Sequence, residues 1–259
     1  MVRITAVGLV AGDGPGRVPG FEPRAEVPER KHLKLMAREV QLALGAIRRA
    51  LAGRPGWESI PPERRGLFVG TSPAASDPAD LIPAVGASRG PDGAFSVSDF
   101  GERGVPRVPP LWLVRGLSNN IVGFGSAAWD LRGANTTRCD GRAGGLAAVI
   151  DGARAIEEGR ADLVVAGGAD ALVYADGWVD HPVGEAAAFF VLEAGDAPPH
   201  QRLSGLQIDG RPRQAGAAVD LGAASGVVQL ARAWLAGATG VFTAGDPDGP
   251  SATVCLGPA

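Results

Sequence analysis

The stretch Ala134-Asn135-Thr136-Thr137-Arg138-Cys139-Asp140-Gly141-Arg142-Ala143-Gly144-Gly145-Leu146 decides how this chain folds, because it runs from a strand through a short turn into a helix. Asp140 reads as the cap or turn residue that starts the helix. From Arg142 onward, Leu146, Ala147, Val149, Ile150, Ala153 and Ile156 stand among small residues. The helix is therefore apolar round most of its circumference and belongs inside the protein. Glu157-Glu158-Gly159-Arg160 ends it, and Leu163-Val164-Val165-Ala166-Gly167-Gly168-Ala169-Asp170 follows as a continuous apolar strand, the pattern of a parallel strand covered on both faces.

Outward from this centre, Val2 to Val10 is a short buried strand that leaves into Gly12-Asp13-Gly14-Pro15-Gly16. Between Lys34 and Leu51 the apolar residues fall at helical spacing with charged residues between them, and Gly53 closes this amphipathic helix. Gly66 to Ser72 is another buried strand, whereas Ser76 to Val108 reads as irregular connection with one short helix around Ala79 to Val85. At 259 residues the chain buries a substantial core without disulfides or metals. A formal net charge of -3 with 20% charged residues points to neither nucleic acid nor an anionic membrane as partner. Cys139 and Cys255 lack metal-ligand spacing, the N-terminus lacks signal-peptide features, and no apolar run spans a bilayer, so a cytoplasmic protein is expected. Richness in Ala, Gly, Arg and Pro suits a GC-rich bacterial genome.

Five segments carry a family resemblance, in the same order along the chain. Gly133 to Ala171 resembles the nucleophile strand, buried helix and following Val-Ala-Gly-Gly-Ala-Glu strand of β-ketoacyl synthases. Pro110 to Asn120 is similar to the segment leading into a helix beside that family's acyl pocket, with Ser118 where proline is usual. Gly184 to Glu193 resembles its Gly-Glu-Gly-Ala strand, Leu221 to Val228 its late Gly-Ala-Ala-Gly helix start, and Ser251 to Leu256 its final strand. The resemblance implies a thiolase-like layered α/β/α/β/α fold, with residues 1–195 as the N-terminal-like half and 196–259 as a condensed C-terminal-like half packed on it in one structural unit. Between Glu193 and Gly222 there is too little chain for the usual strand, helix and His-Gly-Thr-x-Thr loop.

The resemblance also shows what is missing. Counted without a gap, Arg142 stands where the family has its nucleophilic cysteine, and Cys139 lies three residues early. His32, His181 and His200 stand in no matching motif, and Val219 occupies the position of a family histidine. The phenylalanine gate corresponds to Gly245-Asp246-Pro247-Asp248-Gly249-Pro250-Ser251 and loses its phenylalanine. A thiolate, neutral imidazoles and oxyanion amides are what condensation requires, so a non-condensing subunit is expected.

An arginine beside a helix N-terminus opposes the dipole, so an anion should stand near Arg142. Pairing with Asp140 or Glu185 in a filled pocket is one reading. An anion site for a carboxylate or a carrier-arm phosphate, with Arg142, Asp140 and Glu185 as binding residues, is the other. Cys139 reads as a small buried hydrophobe, with a new nucleophile as the alternative. His181 reads as a polar loop residue, and the Gly167-Gly168 pair lacks the turn of a nucleotide site. In the family the nucleophile strand pairs with its twin across a dimer axis, so Asn135, Thr136, Thr137 and Arg138 are expected at an interface. The implied role is that of a chain-length factor: pairing with an active ketosynthase subunit, meeting acyl carrier protein, and using no cofactor or metal. An active acyl-transfer, hydrolytic or cyclising enzyme built on Cys139, His181 or Asp140 is one alternative. A homodimeric carrier-protein docking scaffold is another.

Overall fold

The chain is described from a computed structural model. It defines residues 1–72, 77–209, 219–246 and 249–257.

Strand β1 (Val2–Ala11) turns alternate residues inward, and helix α1 (Arg38–Ala52) lies against it through an apolar face that includes Val40, Leu44 and Ile47. The approach is close because Gly8 has no side chain: a Cβ there would stand 1.9 Å from the Ala46 carbonyl oxygen. Strand β2 (Arg65–Gly70) follows, and after several one-turn helices comes helix α2 (Asn120–Trp129), which packs on α1 and β2. The quoted stretch forms strand β3 (Asn135–Arg138), a tight turn at Gly141–Ala143 and the buried helix α3 (Gly144–Glu157), as its residues predict. Strands β4 (Leu163–Ala171) and β5 (Glu185–Ala194) are the two long apolar runs, each buried along nearly its whole length. The second half supplies β6 (Arg202–Asp209), helix α4 (Ser225–Leu235), β7 (Gly240–Gly245) and β8 (Ser251–Leu256).

The strands run in the order β3-β2-β4-β5-β1-β6-β8-β7. β2 pairs parallel with β3 and β4, and β5 is antiparallel to both β4 and β1. β1 holds β6 only through Val2 and Arg3, so the sheet bends there. The bend is forced by the packing of α3, which touches β2 and β4 and also β6 and β8. Strands this far apart in a flat sheet lie roughly 20 Å from one another, beyond the reach of one helix. The β6-β8-β7 ribbon therefore curls over α3 and α4, giving layers of α1 and α2, five strands, α3 and α4, and three strands. Two apolar cores result, one on the α1 side of the five strands and one between the two strand layers.

This is the expected layered α/β fold with a condensed second half. The condensation removes the outer helical layer of that half, for which the described residues contain no helix. Of the strand, helix and loop for which the segment after Glu193 is too short together, the described residues hold the strand, β6.

Candidate functional site

The carboxyl ends of β2, β3 and β4 converge on the start of α3, where small residues let backbones nearly touch. A Cβ on Gly70 would stand 2.3 Å from the Gly145 nitrogen, and one on Gly145 would stand 2.3 Å from the Ala223 oxygen. Arg142 sits at this junction, in the turn before α3.

Its guanidinium meets Asp220 in a two-point fork, Nε to Oδ1 at 3.1 Å and Nη2 to Oδ2 at 2.8 Å. Asp220 is delivered by main-chain pairing: its amide donates to Pro182 O at 2.9 Å, and Gly184 N donates to its carbonyl at 2.9 Å. The Gly222 amide adds a further bond to Oδ1 at 2.9 Å. His181 Nε2 lies 3.3 Å from Asp220 Oδ2, while its Nδ1 faces Asp180 at the same distance. Both imidazole nitrogens are thus committed to carboxylates. Burial alone would raise the Asp220 carboxyl, but Arg142, the Gly222 amide and His181 together hold it below its usual value. The guanidinium is correspondingly raised, chiefly by its bond to Asp220.

Asp246 closes the other side. Its Oδ2 accepts from the Arg142 backbone amide at 3.1 Å, and its Oδ1 lies 3.7 Å from Arg142 Nε. Gly141 makes this approach possible, since its φ is +54° and a Cβ there would stand 1.9 Å from Asp246 Oδ2. The Arg142 amide, in the one-turn helix that runs into α3, is therefore already satisfied by a carboxylate of the same chain.

Asp140 and Glu185 are not the partners of Arg142. Asp140 pairs with Arg138 at 3.2 Å, and Arg138 also reaches Asp151 on α3 at 2.7 Å. Glu185 is fully buried against Arg38, at 2.6 and 2.9 Å, and accepts from Val18 N. It lies at the start of β5, on the far side of the strand from the Arg142 turn, so its charge is consumed before Arg142 can use it. Cys139 is exposed rather than a buried hydrophobe, because β3 ends at Arg138 and the chain has already left the sheet. Among the described residues no base contacts its thiol. His32 sits beside Glu29 and Phe124, and His200 lies in the turn Pro199–Gln201, both apart from Arg142. Val219 is described, whereas Pro247 and Asp248 of the gate segment lie outside the described residues.

β3 is the edge of the sheet, and among the described residues no strand covers its outer side, so Asn135 to Arg138 present an open edge. Behind the ion pair, Asp170 at the end of β4 accepts from Ser72 Oγ at 2.5 Å and Ala223 N at 2.9 Å. Burial pushes its carboxyl up to about 6. The residues that sequence reasoning missed are Asp220 and Asp246. Each borders a position already singled out for a lost catalytic group, and an arginine in need of an anion was the signal that could have found them.

A model of the β-ketoacyl synthase N-terminal domain matches residues 10–185. No curated protein matches the chain in sequence. Among solved structures, a chain of the complex described as a type II PKS acyl-carrier protein with its ketosynthase bound to the hexaketide matches with a TM-score of 0.76. The identity is 14%, over 100% of this chain and 99% of that one. A chain of the ishigamide ketosynthase/chain length factor matches with a TM-score of 0.73 and 19% identity, again over 100% and 99%. A chain of a ketosynthase in complex with its chain length factor from Xenorhabdus doucetiae gives 0.59 and 18%, over 82% and 63%. No described helix is long and apolar enough to cross a membrane. Because that family model spans well over half of the chain, including the buried helix α3 and the strands β3 and β4 on either side of it, this thiolase-like chain belongs to the β-ketoacyl synthase family.

Proposed function

We propose that this chain is a non-condensing ketosynthase-like subunit of bacterial polyketide or fatty-acid biosynthesis, which pairs with an active ketosynthase and shapes its acyl pocket. The observation that carries this reading is the fork between Arg142 and Asp220 at the nucleophile position. A guanidinium held there is no nucleophile, the nearby imidazole is bound by two carboxylates, and the helix-start amide is taken by Asp246. Loss of the nucleophile in a cooperating set typically costs on the order of 10⁶-fold in rate.

Length supports the role as well. The first two structural matches cover 99% of their own chains, so chains of this size occur in complexes described as containing ketosynthases. A cavity of about 330 Å³ between α1 and α2, lined by Met36, Leu44, Gly123, Phe124 and Ala127, supports a pocket-shaping part. The open edge at Asn135 to Arg138 supports pairing across β3. Residues 1–195 and 196–259 are read as halves of one unit in the cytoplasm, joined by α3 and by the Arg142 pairs, with acyl carrier protein as a further partner and no cofactor.

The test is co-expression with an active ketosynthase from the same genome, followed by size-exclusion chromatography with light scattering. A stable heterodimer is expected. A homodimer that ignores the synthase would overturn the role, and acyl-thioester turnover abolished by Cys139→Ala would replace it with an active enzyme.

A further inference from the structure

A second cavity, of about 290 Å³, lies where the loop after β1, the entry to α1 and the segments around Asp80 and Tyr174 meet. It is lined by four cationic side chains, of which two are already neutralised. Arg38 is forked onto Glu185, and Arg115 is bonded to Asp80 at 2.9 Å. The other two, Arg17 and Lys34, have no carboxylate partner among the described residues. Arg17, an exposed side chain, lies over the Tyr174 ring at 5.5 Å from its centroid, which favours a guanidinium position at the cavity wall. Asp77 also borders the space, but one of its oxygens is used to cap the Ala79 amide at 2.8 Å. The lining therefore remains net positive, with a planar guanidinium and an ammonium facing one small polar space.

We infer that this cavity is a binding site for a phosphate group of a small polar molecule, held by Arg17 and Lys34. A guanidinium offers paired N–H donors that match phosphate oxygens, and an ammonium adds a mobile point charge. Arg38 and Arg115, neutralised by their own carboxylates, contribute wall but no net charge, so the positive charge of the space is that of Arg17 and Lys34. At about 30 Å³ per water the space holds roughly ten waters, enough for a phosphate and a short polar body, and its charged lining suits these rather than an acyl chain. The site shares none of its lining with the Arg142 cluster and does not depend on the role proposed above.

The probe is inorganic phosphate, titrated into the full chain by calorimetry at fixed ionic strength set with chloride, with acetate as the carboxylate comparison. Saturable phosphate binding is expected, weakened about tenfold or more in the double variant Arg17→Gln/Lys34→Gln and unchanged in Arg142→Gln. Lys34→Gln alone, an exposed change with no lost ion pair, should weaken binding several-fold at an unaltered melting temperature. Phosphate binding that survives the double variant overturns the site, as does the absence of saturable binding. Acetate binding as tightly as phosphate overturns the assignment of the ligand.

Discussion

Glu39 offers the sharpest quantitative test of the packing behind the site. It lies in the first turn of α1, is only 3% exposed, and its Oε2 has no hydrogen-bond partner among the described residues. Burial drives its carboxyl from 4.5 up to about 8, against a hydrogen bond from its own backbone amide and with help from the charge of Asp170. In the unfolded chain the same group titrates near its ordinary value, so between the two values the fold binds the extra proton. Its stabilising effect is therefore complete below the unfolded pKa and is lost as pH rises through the folded one. At about 1.4 kcal/mol per pH unit, the loss amounts to about 3 kcal/mol at neutral pH and about 5 kcal/mol once the group is ionised. Glu39→Gln keeps the shape and cannot ionise, so the variant should match the wild type below about pH 4 and exceed it by these amounts at about pH 7 and about pH 9. Urea unfolding followed by tryptophan fluorescence measures the difference. Asp170, raised to about 6, gives a similar slope in both proteins and largely cancels. A difference that does not grow with pH would refute the reasoning, since it would mean that the Glu39 carboxylate is solvated in the fold.

Three further outcomes follow from the Arg142 cluster. Arg142→Ala leaves Asp220, whose side chain is 13% exposed, without its cation. It should cost about 2–3 kcal/mol, below the fully buried range because Arg142 retains some solvent contact. A double-mutant cycle with Asp220→Ala should show a coupling of at least about 1 kcal/mol, and simple additivity would contradict the fork. Because Asp220 is held below its usual value, the pair's contribution is present above the unfolded carboxyl pKa and fades as pH falls through the folded one. Arg142→Cys places a thiol beside two carboxylates that have lost their cation, which raises its pKa. That variant should form no acyl adduct with an acyl thioester by mass spectrometry. Gly141→Ala should lose about 1–2 kcal/mol from the left-handed backbone alone and more from displacing Asp246, whereas Gly14→Ala, with open space around it, should not change the melting temperature.

The first half was readable because its signals are local. Leu163 to Ala169 is apolar without interruption, and α3 carries apolar residues round most of its circumference, so burial on both faces could be inferred before any partner was known. β6 gave no such signal. Its pairing with β8 slips between Ser204 and Gln207, and Gly205 adopts a φ of +58°, so the alternation of Leu203, Leu206 and Ile208 loses its period. β7 is a short edge strand between glycines with Val241 68% exposed, and resembles a loop in composition. At the site, Arg142 was visible as an anomaly at the head of a buried helix. Its partners were not, because Asp220 lies 78 residues away and the Asp246 contact spans 104. Only the bridge between Val183 and Asp220, together with the curl of the second strand layer, brings them in. Asp140 and Glu185 were nearer candidates, but each has a stronger claim from Arg138 or Arg38.

The choice of arginine at the position that the proposed reading equates with the nucleophile bears on what the chain is for. A small apolar residue at 142 would have been enough to abolish chemistry. Arg142 does more, because Asp220 and Asp246 both come from the second half, and the fork and the amide contact tie the head of α3 to that half. In a chain whose second half has no outer helical layer among the described residues, contacts across this junction carry a larger share of the holding together. The junction still has the form of a site, with one cation, a helix-start amide and two carboxylates within hydrogen-bonding reach, but every group is satisfied from inside the chain. Such a centre has its cation paired with carboxylates of its own chain, in keeping with the non-condensing role proposed above.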